Sequence, residues 1–422
     1  MLNFDSPIKK NKILIPDDLD SIKNYQGRLY GYNREDTGVY VVVGWDSGSP
    51  DDWENNKPDS ALKAECIGGI IRTSTPIEAE PKPQHWGQYY DYCGLSLCDG
   101  QYGNQFSYGI CGELSDNGTI FYFLDGKGNK ILLQKDIYSI TQDLFSRNSG
   151  ILETDIMKNK TALIVGCGSV GSIVALQLAR SGVAKFVLID TDTLEIHNIC
   201  RHQCNFTDVG RYKTNALRDR IITINPYASV TCYCKTIENV TDNELNKNVD
   251  DDTIIISCAD NRLSNAFACD IAYERKIPFI SIGFWTRAFV CEIVICLPKR
   301  GDTCYRCALK KSIENGIEKM NKNHFYIGEE DKAKTAFEPG ISIDIEFGTS
   351  VASKAILDIL NLNNNNYISK VLHTLTQYTL VCNTNNEEIG GNDALLFSYP
   401  LQVVKNIHFE KGTCNNCKSN CK

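Results

Sequence analysis

The most chemically dense stretch of this chain is LIDTDTLEIHNICRHQ (188–203), with Lys213 soon after it. It gathers Asp190, Asp192, Asn198 and Arg201. A carboxylate accepts hydrogen bonds from sugar hydroxyls, a guanidinium grips two phosphate oxygens at once, and an ammonium acts as a point charge. Arg201 and Lys213 are therefore candidates to meet a triphosphate. Another acid, Asp260, stands in SCADN (257–261) beside Asn261. A carboxylate there can hold Mg2+ through few direct bonds, with water and phosphate oxygens completing the shell; as a helix N-cap alone, Asp260 is also reasonable. The last set is cysteine. Cys304 and Cys307 form one C-x-x-C pair, Cys414 and Cys417 another, and two such pairs can supply a closed tetrahedral thiolate site for Zn2+. Cys421 is a spare that could compete with Cys417.

These residues need elements to position them. Thr161 to Val165 is a short apolar run rich in β-branched residues, as a buried parallel strand requires. Gly166, Gly168 and Gly171 follow as G-x-G-x-x-G, then an apolar helical pattern, then a second strand, Phe186 to Ile189, ending at Asp190. In such a βαβ unit the first glycine permits a tight turn, the second lets phosphate approach the backbone, and the third lets helix pack closely on strand. Free helix N–H groups and the helix dipole attract the phosphate. Asp190 lies where an acid reaches ribose hydroxyls. Lys213 to Ile224 reads as a helix, Thr253 to Ser257 as another buried strand, Arg262 to Glu274 as a helix and Ile277 to Ile282 as a further strand; toward the C-terminus Gly348 to Leu360 reads as a helix, and Val371 to Val381 and Leu396 to Val404 as strands. Asp260 thus sits at a strand's carboxyl end, where open parallel sheets bind ligands.

The first 140 residues read differently. Val39 to Trp45 and Cys66 to Arg72 are strand candidates. Gln105 to Glu113, Thr119 to Leu124 and Lys130 to Leu133 suggest a meander, with turns at Asp116-Asn117-Gly118 and Gly126 to Asn129. This predicts a smaller β-rich or α+β domain with long polar loops. A metal-dependent isopeptidase centre would need a His-x-His pair, and His85 is the one histidine ahead of His197. Cys66, Cys93, Cys98 and Cys111 have no ordinary zinc spacing and read as buried thiols. Trp45, Trp53 and Trp86 suit either a partner surface or core packing.

The net charge of −8 argues against general nucleic-acid binding. No apolar run is long enough to cross a membrane, and the N-terminus lacks a signal-peptide pattern. Nineteen cysteines without such a signal favour a reducing cytoplasm.

The glycine turn, LARSGV (178–183), LIDTDTLEIHNICRHQ (188–203), GRYKTNALRDRIITINP (210–226), SCADN (257–261) and CYRC (304–307), in this order, resemble the ThiF/MoeB superfamily, the adenylating core of ubiquitin-activating enzymes. The resemblance covers about residues 142–422. It implies an α/β, Rossmann-like domain over 141–422, with a mostly parallel sheet, a β-rich C-terminal part and a zinc clamp, behind an accessory domain at 1–140. It implies ATP and Mg2+ as reactants: Asp190 on the ribose, Asn198, Arg201 and Lys213 on the phosphates, Asp260 on magnesium with Asn261 beside it. Arg147 stands where relatives carry an arginine that reaches the neighbouring subunit's ATP, so a homodimer is expected. His202 replaces the glutamine of many members and is expected to act as a neutral hydrogen-bonding group. The implied partner is a ubiquitin-like protein, or a peptide, with a free C-terminal carboxylate. The accessory domain suggests a bacterial ubiquitin-like conjugation or antiphage pathway. Activating enzymes that form a thioester often carry a cysteine after the first zinc pair, but Ala308 to Val381 contains none. The product would then pass on as an acyl-adenylate, to a sulfur donor or a conjugating enzyme, or a cysteine elsewhere acts; Cys200 and Cys204 read as buried thiols. Alternatives are a sulfur-carrier or peptide adenylyltransferase, and a scaffold subunit with an inactive ATP site. An NAD-dependent oxidoreductase would leave Arg201, Lys213 and Asp260 idle.

Overall fold

A computed structural model describes residues 11–22, 27–34, 36–46, 56–72, 109–115, 118–124, 130–310, 339–407, 409 and 412–419. The chain divides into two compact units, Met1–Arg147 and Asn148–Lys422, each built on an eight-stranded sheet.

The first unit orders its strands β7-β6-β5-β4-β2-β3-β1-β8. These are β1 (Lys12–Pro16), β2 (Gly27–Arg34), β3 (Val39–Asp46), β4 (Glu65–Arg72), β5 (Gly109–Ser115), β6 (Gly118–Leu124), β7 (Lys130–Leu132) and β8 (Gln134–Tyr138). Antiparallel pairs join β2 to β3 and β4, and link β5, β6 and β7 as the expected meander. Parallel pairs join β1 to β3 and β8, and β4 to β5. Ile13, Ile15, Leu29, Val42, Trp45, Ile110 and Phe121 form the core, so Trp45 is a packing residue. Cys111 is buried in this unit and Cys66 half-buried. His85, Cys93, Cys98, Trp53 and Trp86, and most of the two turn motifs, lie outside the described residues.

The second unit orders its strands β11-β10-β9-β12-β13-β14-β15-β16. They are β9 (Thr161–Val165), β10 (Lys185–Ile189), β11 (Ser229–Tyr233), β12 (Thr253–Ser257), β13 (Phe279–Phe284), β14 (Val290–Cys296), β15 (Tyr378–Cys382) and β16 (Val403–Ile407). The strands from β11 through β13 in that order are parallel, and the last three add antiparallel. Its helices include α1 (Ser169–Arg180), α2 (Lys213–Ile224), α3 (Asp242–Asn248), α4 (Arg262–Arg275), α5 (Tyr305–Ala308), α6 (Ser342–Leu360) and α7 (Asn415–Ser419). Strands β9 and β12 are buried at every position, as a sheet covered on both faces demands. Each fully buried Leu, Ile or Val there contributes roughly 1.5–3 kcal/mol. The mixed α/β, Rossmann-like architecture expected from the sequence is the one observed. No helix among the described residues is long and apolar enough to cross a membrane.

Two strand expectations fail near the C-terminus. Val371 to Val381 is not one strand: β15 starts only at Tyr378. The reason is Asp358, 2% exposed, whose carboxylate accepts the N–H groups of Lys370, Val371 and Leu372 and the hydroxyls of Tyr367 and Ser369. Those amides are spent on a side chain and cannot join a ladder. Leu396 to Val404 is likewise a 3-10 turn, Gly391–Leu396, followed by irregular chain through Pro400 and Leu401 (φ 61) before β16. Helix α6 begins six residues earlier than the apolar pattern from Gly348 suggests.

Candidate active site

Strand register assembles the site. Val165 pairs with Ile189 on one side and with Ser257 on the other, so β9, β10 and β12 end together. Strand β9 is where the order reverses: β10 lies to one side and β12 to the other, each reached by its own crossover. The carboxyl ends at such a switch point form the ligand crevice.

The three glycines differ in what surrounds them. Gly166 adopts φ +87, and a Cβ on it would stand 2.9 Å from the backbone of Cys258 and Ala259. A Cβ on Gly171 would penetrate the Gly166 carbonyl oxygen, so glycine is needed for α1 to pack on its own turn. Among the described residues no atom beyond the chain neighbours lies within 4 Å of where a Cβ on Gly168 would stand, so the turn is open there at the N-terminus of α1. The turn is braced from outside. Cys167 N–H donates to Asp190 Oδ2 at 2.6 Å, and His202 Nε2 bonds the Cys167 carbonyl at 2.8 Å. His202 Nδ1 accepts from Cys204 N–H at 3.0 Å, so the ring is neutral with its proton on Nε2. Burial holds its pKa below the ordinary histidine value. The neutral hydrogen-bonding role expected of His202 is the one the geometry has.

Asp190 closes β10 and receives a second N–H, from Asp192 to Oδ1 at 2.8 Å. Burial pushes its carboxyl up, and the two N–H donors oppose this. Lys213 opens α2 with a side chain only 12% exposed, and its Nζ meets Asp192 Oδ2 at 2.8 Å. That ammonium holds the Asp192 carboxyl below its usual value, against a smaller effect of burial. Asn198 ends a 3-10 turn, Ile196–Asn198, and its Oδ1 accepts from Glu195 N–H at 2.9 Å. Arg201 is half-buried, its guanidinium 3.7 Å from where a Cβ on Gly340 would stand. Cys204 is buried as expected, whereas Cys200 is exposed, which corrects that reading; Cys200 lies in a turn after the Ile196–Asn198 segment rather than in a covered strand, its Sγ 3.3 Å from the His197 carbonyl.

Asp260 is exposed just beyond the Cys258–Ala259 contact with the glycine turn. The N-cap of α4 is Asn261, whose side chain accepts from Leu263 N–H at 2.8 Å. Asp260 is therefore not spent on capping. Asn265, 6% exposed, pins this loop by donating to the Ala259 carbonyl at 3.1 Å while accepting from Ser257 at 2.6 Å. Asn265, Arg262 and Glu292 are polar groups around the start of α4 that sequence reasoning passed over; the available signal was a lone Glu inside the buried strand VCEIVIC. Arg147 is exposed on the 3-10 turn Ser146–Asn148, as the last residue of the first unit.

Away from the crevice, the four sulfurs of Cys304, Cys307, Cys414 and Cys417 lie within 4.8 Å of one another. The Sγ atoms of Cys304 and Cys414 are 3.5 Å apart, close to the edge of about 3.8 Å that Zn–S bonds of about 2.3 Å give a tetrahedron. A Cβ on Gly412 would penetrate Cys417 Sγ, so the chain must pass there as glycine. The donor set fits zinc, and it joins α5 to α7 across more than a hundred residues of sequence. Asn416 reinforces the tie by donating to Asp270 of α4 at 2.8 Å.

A mostly parallel sheet with a switch point, a glycine turn at a helix N-terminus, and an aspartate and a lysine gathered beside it define a Rossmann-like α/β protein. The chain belongs to the ThiF family, whose model matches residues 144–385. It is 27% identical over 164 residues to the molybdopterin-synthase adenylyltransferase of Escherichia coli K12, covering 39% of this chain and 64% of that protein. It is 30% identical over 195 residues to the ubiquitin-like modifier-activating enzyme 5 of Drosophila persimilis (42% and 49%). It is 29% identical over 185 residues to the tRNA threonylcarbamoyladenosine dehydratase 1 of Saccharomyces cerevisiae (42% and 43%). The matches thus span less than two thirds of the length of each relative. Among solved structures, E. coli MccB with ATP aligns at 20% identity and a TM-score of 0.47, over 66% of this chain and 75% of that one.

Proposed function

We propose that this chain activates the C-terminal carboxylate of a ubiquitin-like protein by joining it to AMP. The observation that carries this reading is the convergence of the open Gly168 turn, Asp190 and the Lys213–Asp192 pair at one switch point. A carboxylate oxygen of the substrate attacks the α-phosphorus of ATP, the bond from that phosphorus to the bridging oxygen breaks, and pyrophosphate leaves. The carboxylate is already ionised, so no base is needed and catalysis is positioning plus charge stabilisation. The glycine turn cradles phosphate, and Asp190 takes the ribose hydroxyls. Lys213, leaving Asp192, joins Arg201 and Asn198 on the phosphates. Asp260 holds Mg2+ with Asn261 beside it. The protein works as a homodimer in which Arg147 reaches the second subunit's nucleotide.

With no cysteine between Ala308 and Val381, the acyl-adenylate itself is the product handed on, to a sulfur donor or a conjugating enzyme. A bacterial ubiquitin-like conjugation or antiphage pathway fits the added N-terminal unit. Within the same chemistry, a sulfur-carrier protein or a peptide is the alternative substrate, supported by the adenylyltransferase named among the relatives. ATP–pyrophosphate exchange tests the reading, using ubiquitin-like proteins with a free C-terminal glycine. Exchange should require one such protein and fall at least about 100-fold in Asp260→Ala, the loss of some 3 kcal/mol of transition-state stabilisation. ATP binding without exchange on any carboxylate partner would instead indicate an inactive scaffold.

A further inference from the structure

Strand β14 is buried along its whole length and apolar except at Glu292, which is 5% exposed. A carboxylate there is costly unless charge and hydrogen bonds compensate it. Glu292 has both. Arg262 forks onto it, Nη1 to Oε1 at 2.9 Å and Nη2 to Oε2 at 3.1 Å. Tyr378 donates its hydroxyl to Oε2 at 2.7 Å and Trp285 its Nε1–H at 3.3 Å. The Arg262 Nη1 also donates to the Tyr305 hydroxyl at 3.1 Å, and Tyr305 lies between two of the clamp cysteines. The donors to Glu292 come from three places, the start of α4, the turn after β13 and the start of β15, and Tyr305 of α5 accepts from Arg262 behind them.

Arg262 is two residues beyond Asp260. Its guanidinium is the cation nearest in sequence to the carboxylate assigned to magnesium, and Glu292 holds both of its terminal nitrogens in a bidentate grip. The turn that supplies Trp285 carries two consecutive non-glycine residues in the left-handed region, Arg287 (φ 51) and Ala288 (φ 55). Such strain persists where the surroundings over-determine a conformation, as they do at functional rims. Here Asn383 donates to the carbonyls of Ala288 and Asp344 and locks the turn.

We infer that Glu292 is a positioning residue of the nucleotide site, which sequesters Arg262 so that Asp260 stays free to take magnesium. This rests on the assignment of Asp260 made above. Releasing the guanidinium would let it pair with Asp260 and compete with the metal. Tyr305 makes the same pair a mechanical link between the cysteine clamp and the first turn of α4.

The test is calorimetric binding of ATP to the full chain across a range of Mg2+ concentrations. Glu292→Gln should raise the Mg2+ needed for half-maximal binding about tenfold, the effect of one competing charge at short range. The double variant Glu292→Gln/Arg262→Gln should return it to within about threefold of wild type, because the competitor is gone. A merely structural role predicts the reverse: the double variant would be as impaired as the single or worse. An unchanged Mg2+ midpoint in folded Glu292→Gln, or no recovery in the double variant, overturns the inference. Should Glu292→Gln not fold, Tyr378→Phe removes one donor and should shift the midpoint about twofold in the same direction; no shift there overturns it as well. Failure of the wild type to bind ATP at any Mg2+ concentration would sink the parent proposal, and this one with it.

Discussion

The two units each rest on an eight-stranded sheet, yet among the described residues only the second gathers reactive groups at one edge. In the N-terminal sheet most pairings are antiparallel, so neighbouring strands end at opposite edges. Its charged side chains are spread out as pairs: Lys12 with Asp136, Lys135 with Asp20, Lys130 with Glu113, and Arg28 with Asp46. The last is the most protected, with Arg28 on both oxygens of Asp46 and the Tyr30 hydroxyl on one of them. In the C-terminal sheet, parallel β9, β10 and β12 end at one edge in register. Their faces are covered, so their middles are apolar and the charged residues Asp190 and Asp260 stand just past their ends, which the topology brings together. The difference shows that a catalytic crevice follows from strand direction as much as from composition.

The largest effect expected concerns the clamp, which only the second sheet has among the described residues. Cys414→Ser, or chelation of the full-length protein, should release one zinc per chain and cost on the order of 10 kcal/mol of metal-linked folding energy. Elemental analysis and thermal unfolding measure this. Purified protein that lacks stoichiometric zinc but melts normally would refute the clamp, and with it one contrast between the halves.

Paired glycine substitutions sharpen the contrast next. A Cβ on Gly171 would penetrate the Gly166 carbonyl oxygen, and one on Gly68 in the N-terminal sheet the Ile110 carbonyl oxygen. Both alanine variants should lose about 3 kcal/mol, the upper end of ordinary overpacking. In protein that remains folded, nucleotide binding should be lost in Gly171→Ala and retained in Gly68→Ala. Gly168→Ala should keep wild-type stability yet bind nucleotide more weakly, since its Cβ meets open space where phosphate would sit. Nucleotide binding that depended equally on Gly68 would break the division of labour.

The smallest effect is a pH dependence confined to the second unit. Burial pushes the Asp358 carboxyl up, but the N–H groups of Leu372, Lys370 and Val371 outweigh it and leave the pKa below the ordinary aspartate value. A depressed folded-state pKa stabilises above the unfolded value of about 4 and is lost as pH falls through the folded one. Asp358→Asn should therefore cost about 2 kcal/mol at pH 7, with the gap to wild type constant down to about pH 5 and closing below pH 4. Denaturant titration across that range reads it, and a gap that widened in acid would contradict the assignment.

Much of the second unit was legible because its signals are local. Glycine spacing, runs of β-branched residues and the C-x-x-C pairs each specify a small piece of geometry without reference to the rest of the chain. Legibility failed where a distant side chain took over the backbone. Val371 looks like a strand residue, but Asp358 claims its N–H. It failed again at Glu292 and Arg262, whose partners lie 30 residues apart and carry no periodic signature. In the first unit β1, β2 and β8 escaped notice, since β1 pairs with β8 more than a hundred residues away and single-strand patterning says little about such partners.

By itself the sequence determined the βαβ unit, the order of the polar residues beyond its strands and the two cysteine pairs of the clamp, because these depend on near neighbours and side-chain chemistry. Tertiary structure alone decided that Asp190 braces the glycine turn, that Lys213 waits on Asp192, and that Asn261 rather than Asp260 caps α4. It alone paired Arg262 with Glu292. Each of these is a competition among polar groups for partners, and its winner depends on distances that arise only when strands remote in sequence end side by side.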